Sequence, residues 1–252
     1  PMRRPAGIAM QSLPDGFRAL IIGASGAIGA ALVAELRNRP GCALVVALHR
    51  HSQPAIDFAD EASIAAAAAE VADQGPFQLI INATGILHAS SILHGGDQTS
   101  AAPLMPEKRL ADVHYGQMQQ VFLINTFGPA LVLRHFSGLL DRQRGILALL
   151  SAKVGSIGDN RLGGWYSYRA SKAALNMLVK TAAIELKRSQ PNALLLALHP
   201  GTVNSRLSQP FRGGEIGRSP AAAAQDLLRV LDQQSAEASG RFLSYSGEQL
   251  PW

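Results

Sequence analysis

The sequence predicts an α/β fold in which one doubly wound parallel sheet carries helices on both faces. Short apolar runs alternate with helical patterns along the chain, and no linker interrupts them. The run Phe17–Ile22 leads into a glycine-rich turn and then into a helical pattern. This order indicates a single domain over residues 17–252, and we expect residues 1–16 to form a flexible leader.

The strands are predicted from short continuous apolar runs, which are typical of parallel sheets buried on both faces. These runs lie at residues 17–22, 43–48, 79–81, 146–150, 193–198 and 241–245. Helical patterns cover residues 30–37, 61–71 and 168–188, and a last segment ends near 233. Residues 106–140 carry one or two helices, including 117–140. Ser219 and Pro220 predict the start of that last helix, because Ser is favoured at the N-cap and Pro at the next position.

A further short strand is predicted near residues 55–58. Parallel neighbours need a crossover of about a dozen residues. The interval from 49 to 54 is too short for that crossover, so we expect the helix between the second and third strands to be missing. We also expect residues 88–102 to form a loop that is rich in Gly, Ser and His.

Composition narrows the class of protein. No apolar run reaches the roughly 18 residues that a membrane span requires. Residues 1–16 lack the apolar core of a secretory signal, and Cys42 has no partner for a disulfide; both points favour the cytoplasm. The formal net charge is +5, but the basic residues are scattered, which argues against nucleic-acid binding.

Tyr168 and Lys172 predict the chemistry. Four residues apart on a helix, the two side chains share a face. A fixed ammonium beside a phenol lowers its pKa, so we expect Lys172 to turn Tyr168 into a usable proton donor. Tyr166 lies six residues before Lys172, about 240° around a helix, and is not expected to share that face.

Several motifs together resemble the short-chain dehydrogenase/reductase family in its single-domain, Rossmann-type form. The resemblance covers residues 17–252 and is closest to the carbonyl-reductase and C-factor-like branch. It rests on the Gly23–Gly29 turn, Asn82–Gly85, Ser151 and the run that begins at Tyr168. The tracts typical of that branch are Pro106, Glu107 and Lys108, and Leu250, Pro251 and Trp252.

The resemblance implies four catalytic residues: Asn125, Ser151, Tyr168 and Lys172. Asn125 would tie the lysine to a proton-relay water, and a serine hydroxyl would bind the substrate oxygen as its charge develops. The usual serine position corresponds to Ala152 in this chain. Ser151 is one place early and Ser156 lies after Gly155; we favour Ser151 and keep Ser156 as the alternative.

The glycine turn reads Gly-x-x-Gly-x-x-Gly, with Ala27 where the family usually has its middle glycine. In a strand–turn–helix setting it predicts a dinucleotide whose pyrophosphate lies at the helix N-terminus. Including the positions that the resemblance implies, the expected cofactor contacts are Gly23, Ser25, Gly26, Ile28, Gly29, His49, Arg50, Asp57, Asn82, Ala83, Gly85, Tyr168, Lys172, Pro200, Gly201 and Val203.

No acid follows the second strand, where an NAD-specific relative would bind the ribose hydroxyls. Arg50 can grip a 2′-phosphate instead, with His49 beside it. We therefore expect NADP(H) in preference to NAD(H). No metal-ligand spacing is present, and no metal is expected.

The predicted function is reduction of a ketone or aldehyde on a small-molecule substrate. The alternatives are alcohol oxidation, the reverse reaction, and a cofactor-binding signalling protein like C-factor. The apolar faces of the helices 117–140 and 168–188 are wider than one sheet contact needs. The resemblance implies pairing through these helices, so we expect a homodimer or homotetramer.

Overall fold

The computed structural model describes residues 9–89 and 103–252. In this part of the chain, six parallel strands form one sheet with the order β2-β1-β3-β4-β5-β6. The strands are β1 (Phe17–Ile22), β2 (Cys42–Leu48), β3 (Leu79–Asn82), β4 (Ile146–Leu150), β5 (Leu194–His199) and β6 (Arg241–Ser244). The helices are α1 (Ala27–Arg37), α2 (Glu61–Val71), α3 (Tyr115–Phe122), α4 (Gly128–Phe136), α5 (Tyr166–Ser189), α6 (Gly213–Ile216) and α7 (Pro220–Asp232).

Alternating strand residues build a core on each face of the sheet, because successive side chains point to opposite sides. Leu20 and Ile22 pack with residues of α2, α4 and α5. Ala19 and Ile21 pack with residues of α1 and α7 on the other face. The predicted doubly wound α/β sheet is therefore confirmed.

The sheet has its switch point between β1 and β3. The chain goes outward from β1 to β2 and then returns to the other side of β1. In open α/β sheets, ligands bind outside the carboxyl ends of the strands at this point. The predicted site residues that follow β1, β2 and β3 therefore meet at one edge.

The short strand predicted near 55–58 is wrong. Residues 55–57 have no regular structure, and the amide of Ile56 donates to the carbonyl of His49, which folds the segment back onto the end of β2. Ile56 and Phe58 are buried in the core for that reason rather than through sheet pairing. No crossover helix is missing, since α2 connects β2 to β3 directly.

Residues 9–16 differ from the flexible leader that we expected. Met10 and Leu13 are buried in the core beside α7. The backbone amides of Gln11 and Ser12 donate to the carboxylate of Asp232 at 2.9 and 2.8 Å. Met10 and Leu13 are three places apart in a short segment without helix or strand, a pattern too sparse to predict an element. Residues 1–8 and 90–102 lie outside the described residues, and the second range includes most of the predicted loop.

Of the one or two helices predicted within 106–140, the structure has two, α3 and α4, joined by a π-turn at Leu123–Phe127. The helix start at Ser219 is confirmed, because its hydroxyl accepts a hydrogen bond from the amide of Ala222 at 3.1 Å. Among the described residues, no helix combines the length and apolar character of a membrane span.

Gly128 begins α4 against the ring of Phe58. A Cβ added to Gly128 would lie 2.0 Å from Cδ2 of Phe58, so alanine displaces a buried aromatic ring. We expect Gly128→Ala to lower the free energy of unfolding by about 1–3 kcal/mol, the usual cost of overpacking. Urea denaturation measures this, and Gly138→Ala is the matched control because nothing lies within 4 Å of its added Cβ. Equal stability of the two variants would contradict this packing.

Candidate active site

The glycine turn forms a close-packed cradle between β1 and α1. Gly23 has a φ of 81°, and its amide donates to the carbonyl of Leu48 at the end of β2. A Cβ on Gly29 would lie 2.1 Å from the carbonyl oxygen of Gly23, so only glycine fits at that position. Gly26 is the N-cap of α1 and offers no side-chain cap. The first amides of α1 are therefore free for an anion.

A cavity of about 410 Å³ lies beside this cradle, at the carboxyl ends of β1, β2 and β3. Eight of the predicted cofactor residues line it: Gly23, Ser25, Gly26, His49, Arg50, Asp57, Ala83 and Gly85. Its remaining lining is mostly apolar and includes Ile56, Phe58, Ile86 and Ile124. Its size and lining fit one half of a dinucleotide.

The other predicted cofactor residues do not line that cavity. Ile28 and Gly29 lie on α1, and Pro200, Gly201 and Val203 follow β5 at the same edge of the sheet. Asn82 is fully buried at the end of β3, where its side-chain oxygen accepts a hydrogen bond from the hydroxyl of Thr84 at 3.0 Å. Asn82 therefore shapes the loop that carries Ala83 and Gly85.

Sequence reasoning missed Ile56, Ile86 and Ile124 as wall residues of this cavity. Each follows or precedes a residue that the motifs singled out, but an isolated isoleucine carries no local signal. Only the fold shows that these side chains converge on one space.

Tyr168 and Lys172 lie one turn apart on α5, as their spacing predicts, and both are buried. The ammonium of Lys172 donates to the carbonyl of Leu150 at 3.0 Å and lies 5.9 Å from the centre of the Tyr168 ring. A Cβ built on Gly85 would lie 3.6 Å from that ammonium. Gly85 lines the cavity, so Lys172 lies directly beside it.

Electrostatics at this pair differ from our expectation. Burial raises the pKa of the Tyr168 phenol well above its usual value. Burial also lowers the pKa of Lys172 to about 8. Desolvation disfavours the charged form of each group, and it is the cause of both shifts. The predicted lowering of the Tyr168 pKa by Lys172 is therefore wrong for the protein alone.

Asn125 lies in the π-turn between α3 and α4, a distortion that is frequent at functional sites. Its side chain accepts a hydrogen bond from the amide of Ile86 at 2.8 Å and donates to the Ile86 carbonyl at 2.9 Å. It also donates to the hydroxyl of Ser171 at 3.1 Å. Asn125 therefore ties the loop after β3 to α5, next to Lys172.

The two candidate serines are both buried. The hydroxyl of Ser151 donates to the side-chain oxygen of Asn176 at 2.7 Å. The hydroxyl of Ser156 accepts from the amide of Asp159 at 3.1 Å. In the part of the chain that the structure describes, neither hydroxyl bonds to Tyr168. Ala152, rather than either serine, belongs to the apolar cluster around Tyr168. The residue of this segment that packs near Tyr168 therefore has no hydroxyl.

The wall around Tyr168 is apolar and aromatic. The buried members are Leu87, Ala152 and Tyr168, and Val154, Trp165, Leu207 and Phe211 pack against them. The Trp165 ring lies edge-on to Phe211, with centroids 5.0 Å apart, and edge-on to Tyr168 at 6.1 Å. These contacts bring the loop after β5 onto the start of α5. Such a wall excludes water from the phenol.

Tyr166 is more than a third exposed, whereas Tyr168 is almost fully buried, so the helix separates the two phenols as predicted. Within residues 9–89 and 103–252, no group of three or more His, Cys, Asp or Glu side chains is arranged to hold a metal ion.

Comparison with known proteins agrees with this geometry. The family model described as short chain dehydrogenase matches residues 18–215, most of the chain. The chain therefore belongs to the short-chain dehydrogenase family, a class of oxidoreductases.

Two relatives illustrate the range of that family. The 1-hydroxy-2-glutathionyl-2-methyl-3-butene dehydrogenase of Rhodococcus sp. (strain AD45) is 29% identical over 200 residues, which cover 79% of this chain and 80% of the relative. The C-signal protein of Myxococcus xanthus is 38% identical over 148 residues, which cover 57% of this chain and 83% of the relative.

Among solved structures, an NADPH-bound carbonyl reductase from chicken fatty liver superposes with a TM-score of 0.75. It is 24% identical, and the alignment covers 98% of this chain and 97% of that protein. Because the identity is below 25%, this similarity shows the fold alone.

The lowered pKa of Lys172 predicts a pH-dependent stability. Between about pH 8 and pH 10.5 the unfolded chain keeps the proton on this lysine and the folded protein has lost it. Stability rises with pH wherever the unfolded state binds more protons. Relative to Lys172→Met, the wild type should gain up to about 3 kcal/mol of unfolding free energy across this window.

Urea denaturation at several pH values measures that difference. Lys187→Met is the control, because Lys187 is solvent-exposed on the same helix. A stability difference between wild type and Lys172→Met that is flat with pH would show that the ammonium is not desolvated.

Proposed function

We propose that the protein is an NADPH-dependent reductase that converts a ketone or aldehyde to an alcohol. The observation that carries this proposal is the buried pair Tyr168 and Lys172, one turn apart on α5, with Lys172 beside the cavity at Gly85. Membership of an oxidoreductase family and the NADPH bound by the chicken carbonyl reductase support it.

The cradle and cavity fit a dinucleotide, since the N-terminus of α1 has no side-chain cap and its N-cap residue, Gly26, lines the cavity. Gly23, Ser25 and Gly26 would hold the pyrophosphate, and Arg50 and His49 the 2′-phosphate. Lys172 would hold the nicotinamide ribose. The tract Pro200, Gly201 and Val203 would meet the nicotinamide amide. When bound, NADPH supplies the hydride for the carbonyl carbon.

Tyr168 then acts as the general acid. Its phenol is protonated at neutral pH, which is the form that a reductive step needs, and burial does not change this. The phenol donates its proton to the carbonyl oxygen as that oxygen gains charge, so the product is an alcohol and a tyrosinate. Asn125 and Lys172 would return a proton to the tyrosinate through water.

The substrate would meet the apolar wall of Trp165, Phe211 and Leu207. A wall of this kind favours a carbonyl compound with apolar or aromatic substituents.

Tyr168→Phe tests the mechanism. The variant loses one oxygen and keeps the ring volume, so folding and NADPH binding should be almost unchanged. Turnover should fall by a factor on the order of 10²–10⁴, the usual share of general acid catalysis. Oxidation of NADPH, followed at the nicotinamide absorbance with a panel of ketones and aldehydes, measures this.

Tyr166→Phe is the matched control and should cost far less, because Tyr166 lies on the exposed side of the same turn. Equal losses of turnover in the two tyrosine variants would contradict the mechanism. In the same assay, Ser151→Ala and Ser156→Ala identify the serine that orients the substrate, a choice that stays a prediction. A gain in turnover with Ala152→Ser would assign that role to the position beside Tyr168.

The preference for NADPH rests on Arg50, which is exposed at the mouth of the cavity beside His49. Hydrogen bonds to charged groups contribute about 1.5–3 kcal/mol, so Arg50→Asp should weaken NADPH binding about tenfold or more and leave NADH nearly unaffected. Isothermal titration with both cofactors measures this. Arg241→Asp carries the same charge change at the opposite edge of the sheet and serves as control. Wild-type protein that binds both cofactors equally would contradict the assignment.

Two alternatives remain part of the proposal. The same residues run the reverse reaction, alcohol oxidation, if Tyr168 takes up the proton. The 38% identity to C-signal over part of the chain favours a signalling role as the second candidate. Wild-type protein that binds NADPH but reduces nothing on a broad carbonyl panel would move that second role ahead. A cytoplasmic location stays a prediction.

We also propose a homodimer or homotetramer. Met177 and Ile184 lie seven residues apart on one face of α5 and are 66% and 57% exposed. Phe127, at the π-turn, is also exposed. Light scattering should give a mass of at least twice 26.6 kDa, and Met177→Lys with Ile184→Lys should reduce it to the monomer. A wild-type monomer at micromolar concentration would refute this.

A further inference from the structure

The N-terminus of α5 lacks a cap of its own. Trp165 occupies the N-cap position in the left-handed conformation, with φ 53° and ψ 45°, and offers no side-chain hydrogen bond. A helix leaves its first four amides without intrahelical partners, and the N-cap side chain normally satisfies one of them. In α7 that partner is local, since Ser219 caps its own helix.

Glu107 takes over this role from a distant part of the chain. It is 2% exposed, and its carboxylate accepts a hydrogen bond from the amide of Ser167 at 3.2 Å. The Ser167 hydroxyl donates to the other carboxylate oxygen. The amide of Trp165 donates to the backbone carbonyl of Glu107 at 2.5 Å. One residue therefore satisfies two of the four free amides of α5.

The charge of Glu107 also suits the site. The N-terminal end of a helix carries a partial positive charge, and a carboxylate placed there is stabilised. Arg169 holds the approach to the same turn from its other side, because its guanidinium donates to the carbonyls of Gly163, Gly164 and Val154. The first turn of α5 is therefore held by side chains rather than by its own capping residue.

The residue after Ser167 is Tyr168. We propose that Glu107 is a positioning residue: its buried carboxylate replaces the missing cap of α5 and fixes the turn from which Tyr168 reaches the substrate. This inference rests on the proposed reductase function for its kinetic consequence, and on the structure alone for the capping.

The experiment compares Glu107→Ala with Glu107→Gln. Alanine removes both acceptors, so kcat should fall by about 10–100-fold, as a misplacement of about 1 Å can cost. KM and the Kd for NADPH should change less than about threefold, because Lys172 lies one turn further along and the glycine cradle is on another helix. Glutamine keeps an oxygen for the Ser167 amide and should restore most of kcat.

Hydrogen exchange provides a readout that needs no substrate. Amides of residues 166–169 should exchange faster in Glu107→Ala and stay near wild type in Glu107→Gln. Ser219→Ala is the matched control: it removes a helix cap on the other face of the sheet, and it should lower the melting temperature without changing kcat or exchange in α5.

The outcomes separate the two proposals. Glu107→Ala with wild-type kcat and wild-type exchange in α5 would overturn the inference. Faster exchange without any measurable reductase activity in the wild type would support the capping and reject the proposed function. If Glu107→Ala does not fold, Glu107→Asp replaces it, because the shorter side chain cannot reach both Ser167 groups and should give an intermediate kcat; wild-type kcat and exchange in Glu107→Asp would equally reject the proposal.

Discussion

The hydrogen bond from the Lys172 ammonium to the carbonyl of Leu150, at 3.0 Å, ties α5 to the end of the central strand β4. The parallel register of β3 and β4 pairs Asn82 with Leu149, which places the loop after β3 alongside that carbonyl. Gly85 on this loop consequently lies next to the lysine and also lines the cavity. This contact helps to fix the helix that carries Tyr168 relative to the glycine cradle.

Burial decides the electrostatics of the site. In a desolvated environment a phenol keeps its proton and an ammonium loses its proton more readily. The Tyr168 pKa is therefore raised and the Lys172 pKa is lowered to about 8. A phenol of ordinary pKa, about 10, is already protonated at neutral pH. Burial therefore keeps Tyr168 in the donor form but makes it a weaker acid, whereas the neighbouring lysine was expected to make it a stronger one.

The two helix starts at this end of the molecule are satisfied in different ways. Ser219 caps α7 by accepting a hydrogen bond from the amide of Ala222, three residues later. This signal is local and can be read from the sequence. Glu107 caps α5 from about sixty residues upstream, and nothing in the local sequence connects the two. The tract around Glu107 contributed to the family resemblance, but its physical role is visible only once α5 is folded against it.

The sequence by itself determined the six strands, the order of strand, glycine turn and helix, and the spacing that puts Tyr168 and Lys172 on one face. These features depend on period and on short-range sterics, which neighbouring residues settle. The tertiary structure decided that residues 55–58 return as a loop, that residues 9–16 join the core, and that Ser151 turns to Asn176 while Ala152 adjoins Tyr168. It also decided the pKa shifts. Each of these depends on contacts between distant segments, and burial and register arise only when the whole sheet has formed.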